Sequence, residues 1–165
     1  MRRWLAHISL TFFLSACGGY SFTGASISPD VKTITIYYFE NFAPLFQPNL
    51  SQVFTEKLKD IFIVQTSLTL VPENGDLVFE GTIIDYSVRP INIQQGDQAA
   101  QNRLTISVKV SYTNNVDSEN DFEQVFTRFA DFDATQELNQ IEDQLMQQIT
   151  TELAEDIFNK ALVNW

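Results

Sequence analysis

The sequence predicts an α+β fold: a two-layer sandwich, β-α-β-β-β-α, with a mixed four-stranded sheet and two helices on one face. Three observations support this prediction. Segments rich in β-branched and aromatic residues alternate with a period of two, as strands do. Two apolar stripes have helical spacing, and clusters of Asn, Asp, Gly and Pro separate the segments. All of them lie within residues 31–165, which we interpret as a single domain.

The first half of this domain contains a strand, a loop and a helix. Residues 33–39 are β-branched or aromatic throughout, and a loop at 40–48 follows them. Asn49 is placed to cap the first helix. Its apolar stripe consists of Leu50, Val53, Phe54, Leu58, Ile61 and Phe62. A short β-rich segment at 68–71 then leads to the next strand, through a crossover that should be right-handed.

The second half of the domain begins with two strands around a long connection. We predict strands at 77–88 and 104–112, since the latter alternates apolar and polar residues without a break. The polar segment between them, residues 89–103, is predicted to be a loop. A loop of that length is usually functional or mobile.

The chain then turns into a last strand and a long helix. Residues 114–121 form an acidic turn, and residues 122–132 form the partner strand. The apolar residues of this strand do not keep a period of two, which a β-bulge would explain. A capping box at 133–136 precedes a helix that runs to about residue 163. Its stripe consists of Leu138, Ile141, Leu145, Ile149, Leu153, Ile157 and Ala161.

The N-terminal residues have the pattern of an export signal. Arg2 and Arg3 precede ten mostly apolar residues, too few for a helix that spans a bilayer, which needs about 20. The sequence Leu14-Ser15-Ala16-Cys17 resembles the lipobox of bacterial lipoproteins. The resemblance implies that residues 1–16 are cleaved and that Cys17 carries a diacylglyceryl and an N-acyl lipid. The alternative is a plain secretory signal with an incidental cysteine. Residues 17–30 are then a lipidated cysteine and a flexible tether.

The charge of the chain excludes several classes of function. Without residues 1–16 it would hold eight basic and 21 acidic residues, a net charge of −13. Such a surface repels nucleic acid. The mature chain would also lack histidine and a free thiol, so we predict no metal site, no cofactor besides the lipid and no enzyme activity. Acid pairs such as Asp131 with Asp133 are interpreted as helix-capping or solvated residues.

Several short phrases carry a resemblance to a known family. They are Gly18-Gly19-Tyr20-Ser21-Phe22, Tyr38-Phe39-Glu40-Asn41, Thr55-Glu56-Lys57-Leu58, Asp76-Leu77-Val78-Phe79-Glu80-Gly81 and Phe126-Thr127-Arg128-Phe129. Together with the lipobox and the order of elements, they resemble the LptE family of lipopolysaccharide-assembly lipoproteins. The resemblance implies an outer-membrane lipoprotein that plugs the large β-barrel LptD, helps it fold and helps deliver lipopolysaccharide to the outer leaflet.

The resemblance also directs attention to exposed loops. Phe42, Leu45 and Phe46 are candidate barrel contacts, unless they form a satellite core under their loop, and Gln95 is a fourth candidate. Arg89 and Arg103 flank the second loop and are candidate lipopolysaccharide-binding residues. The alternative is that they pair with the many carboxylates of the domain. A second functional hypothesis is a periplasm-facing lipoprotein that binds lipid in its own pocket between sheet and helices.

Overall fold

The computed structural model describes residues 27–93 and 99–162. The predicted signal peptide, Cys17 and Gln95 lie outside the described residues. In order, the elements are β1 (Thr33–Ile36), β2 (Glu40–Asn41), α1 (Leu50–Gln65), β3 (Thr69–Leu70), β4 (Leu77–Ile93), β5 (Ala99–Asn114), β6 (Phe122–Asp133) and α2 (Leu138–Leu162). Within the described ranges, neither helix is long and apolar enough to cross a membrane.

One mixed sheet contains all the strands. Its order is β3-β1-β4-β5-β6, and β2 pairs with β4 beyond the end of β1. The pairs that involve β1 or β2 are parallel, whereas β4, β5 and β6 form an antiparallel meander. The predicted α+β class is confirmed. Among the described residues the sheet has six strands, whereas four were predicted. The two additional strands, β2 and β3, have two residues each and lie immediately before and after the segment that contains α1.

The first strand is shorter than predicted because the chain turns inward at Phe39. β1 ends at Ile36, and the Phe39 side chain is fully buried. Its ring occupies space left by Gly81, where an added Cβ would come within 2.6 Å of the ring and 2.1 Å of the Lys109 carbonyl oxygen. The hydroxyl of Thr55 accepts a hydrogen bond of 3.1 Å from the Phe39 N–H. A glycine in a strand often marks such a close approach.

A β-bulge is present, but not in the strand where it was predicted. β6 pairs with β5 in unbroken register from Phe122 to Asp133, so the bulge prediction for this strand is wrong. The register instead shifts in β4, between Ile83 and Asp85. The shift turns Tyr86 onto the side of the helices, where it is buried.

Both helices pack against one face of the sheet around a line of aromatic rings. The Phe62 ring of α1 lies 4.8 Å from Phe79 of β4 and 5.1 Å from Phe158 of α2. Phe79 in turn contacts Tyr112 of β5. Phe62 therefore joins both layers at one point, and it is fully buried.

The start of the first helix is predicted at the right place, whereas the start of the second is predicted too early. Asn49 precedes α1, yet its side chain makes no capping hydrogen bond, and the side-chain oxygen of Gln47 accepts one from the Asn49 N–H. At the second helix, the Asp133 carboxylate accepts hydrogen bonds from the N–H and hydroxyl of Thr135. Because this is a local turn, α2 begins only at Leu138.

Candidate interaction surface

The sheet has one face against the helices and one without a covering layer among the described residues. We call them the covered face and the open face. The open face carries mainly hydroxyl and charged side chains from β4, β5 and β6, with two large apolar side chains of β6 among them. Its residues include Glu80, Thr82, Thr105, Ser107, Lys109, Ser111, Glu123, Val125, Thr127 and Phe129.

The long strands also give the domain two distinct ends. Residues 27–31, the turn at 71–76 and the turn at 114–121 lie at one end, the tether end. The β4–β5 hairpin lies at the other, the hairpin end. Gln101 and Asn114 are 13 residues apart along β5, which corresponds to roughly 44 Å. The acidic turn at 114–121 therefore cannot form one contact surface with residues 89–103.

The loop between β2 and α1 holds three large apolar side chains in solvent. Phe42, Leu45 and Phe46 are 65%, 52% and 67% exposed, so they do not form a satellite core. Asn41 orders the loop: its side-chain N–H donates to the Gln47 carbonyl at 3.2 Å, and its side-chain oxygen accepts from Ala43 N–H at 2.9 Å. Exposed aromatic side chains on an ordered backbone are typical of a protein contact.

A buried tyrosine connects this loop to the second helix. The Tyr86 hydroxyl donates a hydrogen bond of 2.5 Å to the Glu142 carboxylate of α2. Its pKa is raised, first by burial and then by the hydrogen bond and negative charge of Glu142, and a hydrogen bond to Gln47 opposes this shift. At neutral pH the phenol therefore keeps its proton. The contact joins β4 to α2 beside Gln47 of the loop.

The described residues of the predicted loop, 89–93 and 99–103, do not form a loop. They continue the β4–β5 ladder, in which Arg89 pairs with Arg103 and Ile91 pairs with Gln101. The prediction was misled by Pro90, which normally ends a strand. Here the proline nitrogen points away from β5, to a side of β4 where no described strand pairs at this level, so no ladder hydrogen bond is lost.

The two arginines of the hairpin have different surroundings. The Arg103 guanidinium forms two hydrogen bonds to the Asp131 carboxylate, at 2.7 and 2.9 Å, and lies 3.6 Å above the Phe129 ring. This bidentate contact lowers the pKa of Asp131. Arg89 is exposed, and no ion pair involves it among the described residues. Arg103 is thus paired with a carboxylate of the domain, which was the alternative interpretation of the sequence. Arg89 stays a candidate for binding an anion.

The Asp76 carboxylate, which the sequence analysis did not single out, binds the start of β1 at the tether end. Oδ2 of Asp76 accepts hydrogen bonds from Lys32 N–H at 2.8 Å, Thr33 N–H at 2.9 Å and the Thr33 hydroxyl at 2.9 Å. These donors lower the pKa of Asp76. The Asn-Gly-Asp turn was the only signal in the sequence, and it does not show which distant segment the carboxylate binds.

The described residues line several grooves, of which a small one of about 40 Å³ at the tether end lies between the sheet and α2. One of about 600 Å³ runs between α1 and α2 and is lined mainly by polar residues, including Gln52, Glu56, Asp60, Asp143 and Gln147. Between sheet and helices, Phe54, Phe62 and Phe79 are fully buried and fill the space. The described residues contain no group of three potential metal ligands.

The comparison with protein families decides where this chain belongs. The family model described as "LptE: Lipopolysaccharide-assembly" matches residues 31–161. The chain is a member of the LptE family. Membership places it among lipopolysaccharide-assembly lipoproteins, as the sequence resemblance implied, and the match covers both helices and all six strands.

Solved structures share the fold of this LptE-family chain. A minor lipoprotein from Acinetobacter baumannii is 15% identical with a TM-score of 0.53, over 79% of this chain and 91% of that one. The hypothetical protein CT253 from Chlamydia trachomatis is 11% identical with a TM-score of 0.54, over 81% and 99%. Uncharacterized lipoprotein B from Nitrosomonas europaea is 15% identical with a TM-score of 0.51, over 78% and 80%. No curated protein sequence matches the chain.

Proposed function

We propose that this protein is a lipid-anchored outer-membrane subunit that plugs a large β-barrel of the LptD type. In this role it would support assembly of the barrel and transport of lipopolysaccharide to the outer leaflet. The observation that carries the proposal, besides family membership, is the ordered loop at 42–48 with its three exposed apolar side chains.

The open face suits the lumen of a barrel. The interiors of large outer-membrane β-barrels are polar and contain water. Side chains such as Thr82, Ser111 and Thr127 can hydrogen-bond to a polar wall or to trapped water. Water-mediated hydrogen bonds at an interface contribute nearly as much as direct ones. A sheet backed by two packed helices is also stiff, as a plug must be.

The loop at 42–48 adds exposed apolar side chains to a domain whose open face is mainly polar. Aromatic side chains dominate binding energy where they become fully desolvated. Because Asn41 already orders the loop, little conformational entropy is lost when Phe42 and Phe46 are buried.

The lipid would act at the tether end, with the loop beside the middle of β4 and the hairpin at the opposite end of the domain. A lipid on Cys17 lies ten residues before Ile27, a span of at most about 35 Å, and Ile27 packs at the tether end. Two or more acyl chains give a stable anchor. The anchor raises the effective concentration of the domain at the membrane, while the loop and the hairpin are left to engage the partner.

Site-specific crosslinking of the full-length chain in its native membranes tests this proposal. A photo-crosslinker at Phe46 should yield one dominant adduct with a large outer-membrane β-barrel, and a crosslinker at Gln95 should yield the same adduct. A crosslinker at Ser118, at the tether end, should yield little of it. Adducts with many proteins at Phe46, or none, would refute the plug model.

A pair of variants separates the loop from general surface hydrophobicity. Phe46→Ser should reduce recovery of the barrel with the lipoprotein. Val64→Ser should not, although this apolar side chain at the end of α1 is even more exposed than Phe46. Equal loss in both variants would show that the loop has no special role.

A further inference from the structure

β6 is an edge strand of twelve residues whose second side is unpaired within the described part of the chain. β5 pairs with it along its whole length, and the sheet order ends with it. The opposite edge of the sheet, β3, has only two residues. An unpaired edge of this length is a template for a further strand.

The register shows which residues of β6 face this free edge. In an antiparallel sheet, alternate residues of an inner strand bond to the neighbour on one side and the remainder to the other. The Asn115 N–H donates to the Asp76 carbonyl at 2.8 Å, so the odd-numbered residues of β5 bond to β4. The even-numbered residues of β5 therefore bond to β6.

The same alternation continues into β6. Even-numbered β5 residues are paired with even-numbered β6 residues, such as Val110 with Gln124. The odd-numbered residues of β6 therefore direct their N–H and C=O groups away from the sheet. These residues are Glu123, Val125, Thr127, Phe129 and Asp131, and no backbone hydrogen bond from them is made within the described chain.

The usual protection of an edge strand is incomplete here. Soluble proteins block edges with proline, bulges or charged side chains. β6 contains no proline, and its register is regular. Its charges are bound within the domain: Glu123 to Lys109 at 2.7 Å, Arg128 to Asp156 at 2.5 and 2.6 Å, and Asp131 to Arg103. Val125 and Phe129, by contrast, are 48% and 46% exposed.

The charge beside the edge limits what can pair with it. On the covered side, the Asp156 carboxylate of α2 accepts two hydrogen bonds from the Arg128 guanidinium, and Glu152 lies one helical turn before Asp156. Two carboxylates of α2 thus face one guanidinium at this level of β6, whereas Lys160 lies over the Phe122 ring at the start of the strand. A second copy of this chain would place its own acidic side chains against the carboxylates of α2. The two copies would also repel each other, since each has a net charge of −11.

We propose that the free edge of β6 binds an extended segment of a partner protein as a seventh strand. The segment carries Lys or Arg on the side that faces α2 and apolar side chains beside Val125 and Phe129. Main-chain hydrogen bonds would provide affinity and the alternate side chains specificity, as in other cases of strand addition. The inference does not depend on the partner being the barrel of the proposed function.

Crosslinking in register tests this inference on the full-length chain in its membranes. Photo-crosslinkers at Val125 and at Phe129 should each react with the same segment of one protein, at positions about four residues apart, and that segment should contain Lys or Arg. Adducts that map to unrelated segments, or no adduct at either position, would overturn the proposal.

A proline variant separates the backbone from the side chain. With the crosslinker at Phe129, Val125→Pro removes an outward N–H and should lower adduct yield about tenfold, the equivalent of one hydrogen bond of 1.4 kcal/mol. Val125→Ala keeps the N–H and should retain most of the adduct. Equal yields in the two variants would overturn the proposal.

A charge variant tests the same edge without altering the strand. Glu152→Lys should lower the adduct yield at Phe129, while Glu137→Lys, just before the start of α2, should leave it unchanged. This pair keeps the inference testable if Val125→Pro fails to fold. The adduct at Phe46 reports separately on the plug model, so either proposal can fail alone.

Discussion

The covered and open faces of the sheet are built on the same strands but have different roles. Along β5, Leu104, Ile106, Val108 and Val110 are fully buried, whereas the side chains between them lie on the open face. Burial of the first set provides most of the stability. The side chains on the open face are not part of this core, so their identity can be adapted to a binding partner. The two faces should therefore respond very differently to substitution.

The largest loss of stability is expected for Phe62→Ala on the covered face. The ring contacts Phe79 and Phe158, so its removal leaves a cavity where the sheet and both helices meet. The free energy of unfolding should fall by about 3–5 kcal/mol, measured by urea denaturation. Phe129→Ala on the open face is the control, and an equal loss there would contradict the comparison.

A smaller loss is expected when the Thr55 hydroxyl is removed. Thr55→Val keeps the shape of the side chain but leaves the buried N–H of Phe39 without its acceptor. The free energy of unfolding should fall by about 1–3 kcal/mol. Thr105→Val on the open face should change it little. The inward turn at Phe39 would be unimportant if both variants behaved alike.

Tyr86→Phe should cost about 1 kcal/mol of unfolding free energy, since it removes one hydrogen bond to Glu142 at the edge of the core. Because this bond holds α2 near the loop at 42–48, amide hydrogen exchange in that loop should also become faster. Tyr38→Phe, at an exposed position, is the control. Unchanged exchange in the Tyr86 variant would show that the loop is ordered by Asn41 alone.

The smallest effect is expected for Arg103→Gln on the open face. Surface ion pairs contribute less than about 1 kcal/mol. Since Arg103 lowers the pKa of Asp131, the pair stabilises the fold above the ordinary carboxylate pKa and is lost as the pH falls through the lowered value. The wild type and the variant should therefore converge in acid. A difference that persists when Asp131 is protonated would point instead to the contact with Phe129.

The sequence was sufficient for features that depend on local patterns. Strand alternation in 104–112 and the two helical stripes predicted the class, the order of the main elements and the core residues. The loop was also found from its residues, because Pro44 and Pro48 interrupt a segment with three large apolar side chains. The sequence left open whether these side chains are exposed. Short phrases were sufficient to find the family.

Features that depend on distant segments were decided only by the tertiary structure. Pro90 ends a strand in isolation but is tolerated here because its nitrogen faces an unpaired side of β4. Phe39 leaves its strand because Gly81, 42 residues later, makes room for its ring. The binding of Arg103 to Asp131 and of Asp76 to β1 likewise joins residues far apart in the chain. Local pattern sets which face of each segment is apolar, whereas the partner of a polar group or an edge is known only once the segments are packed.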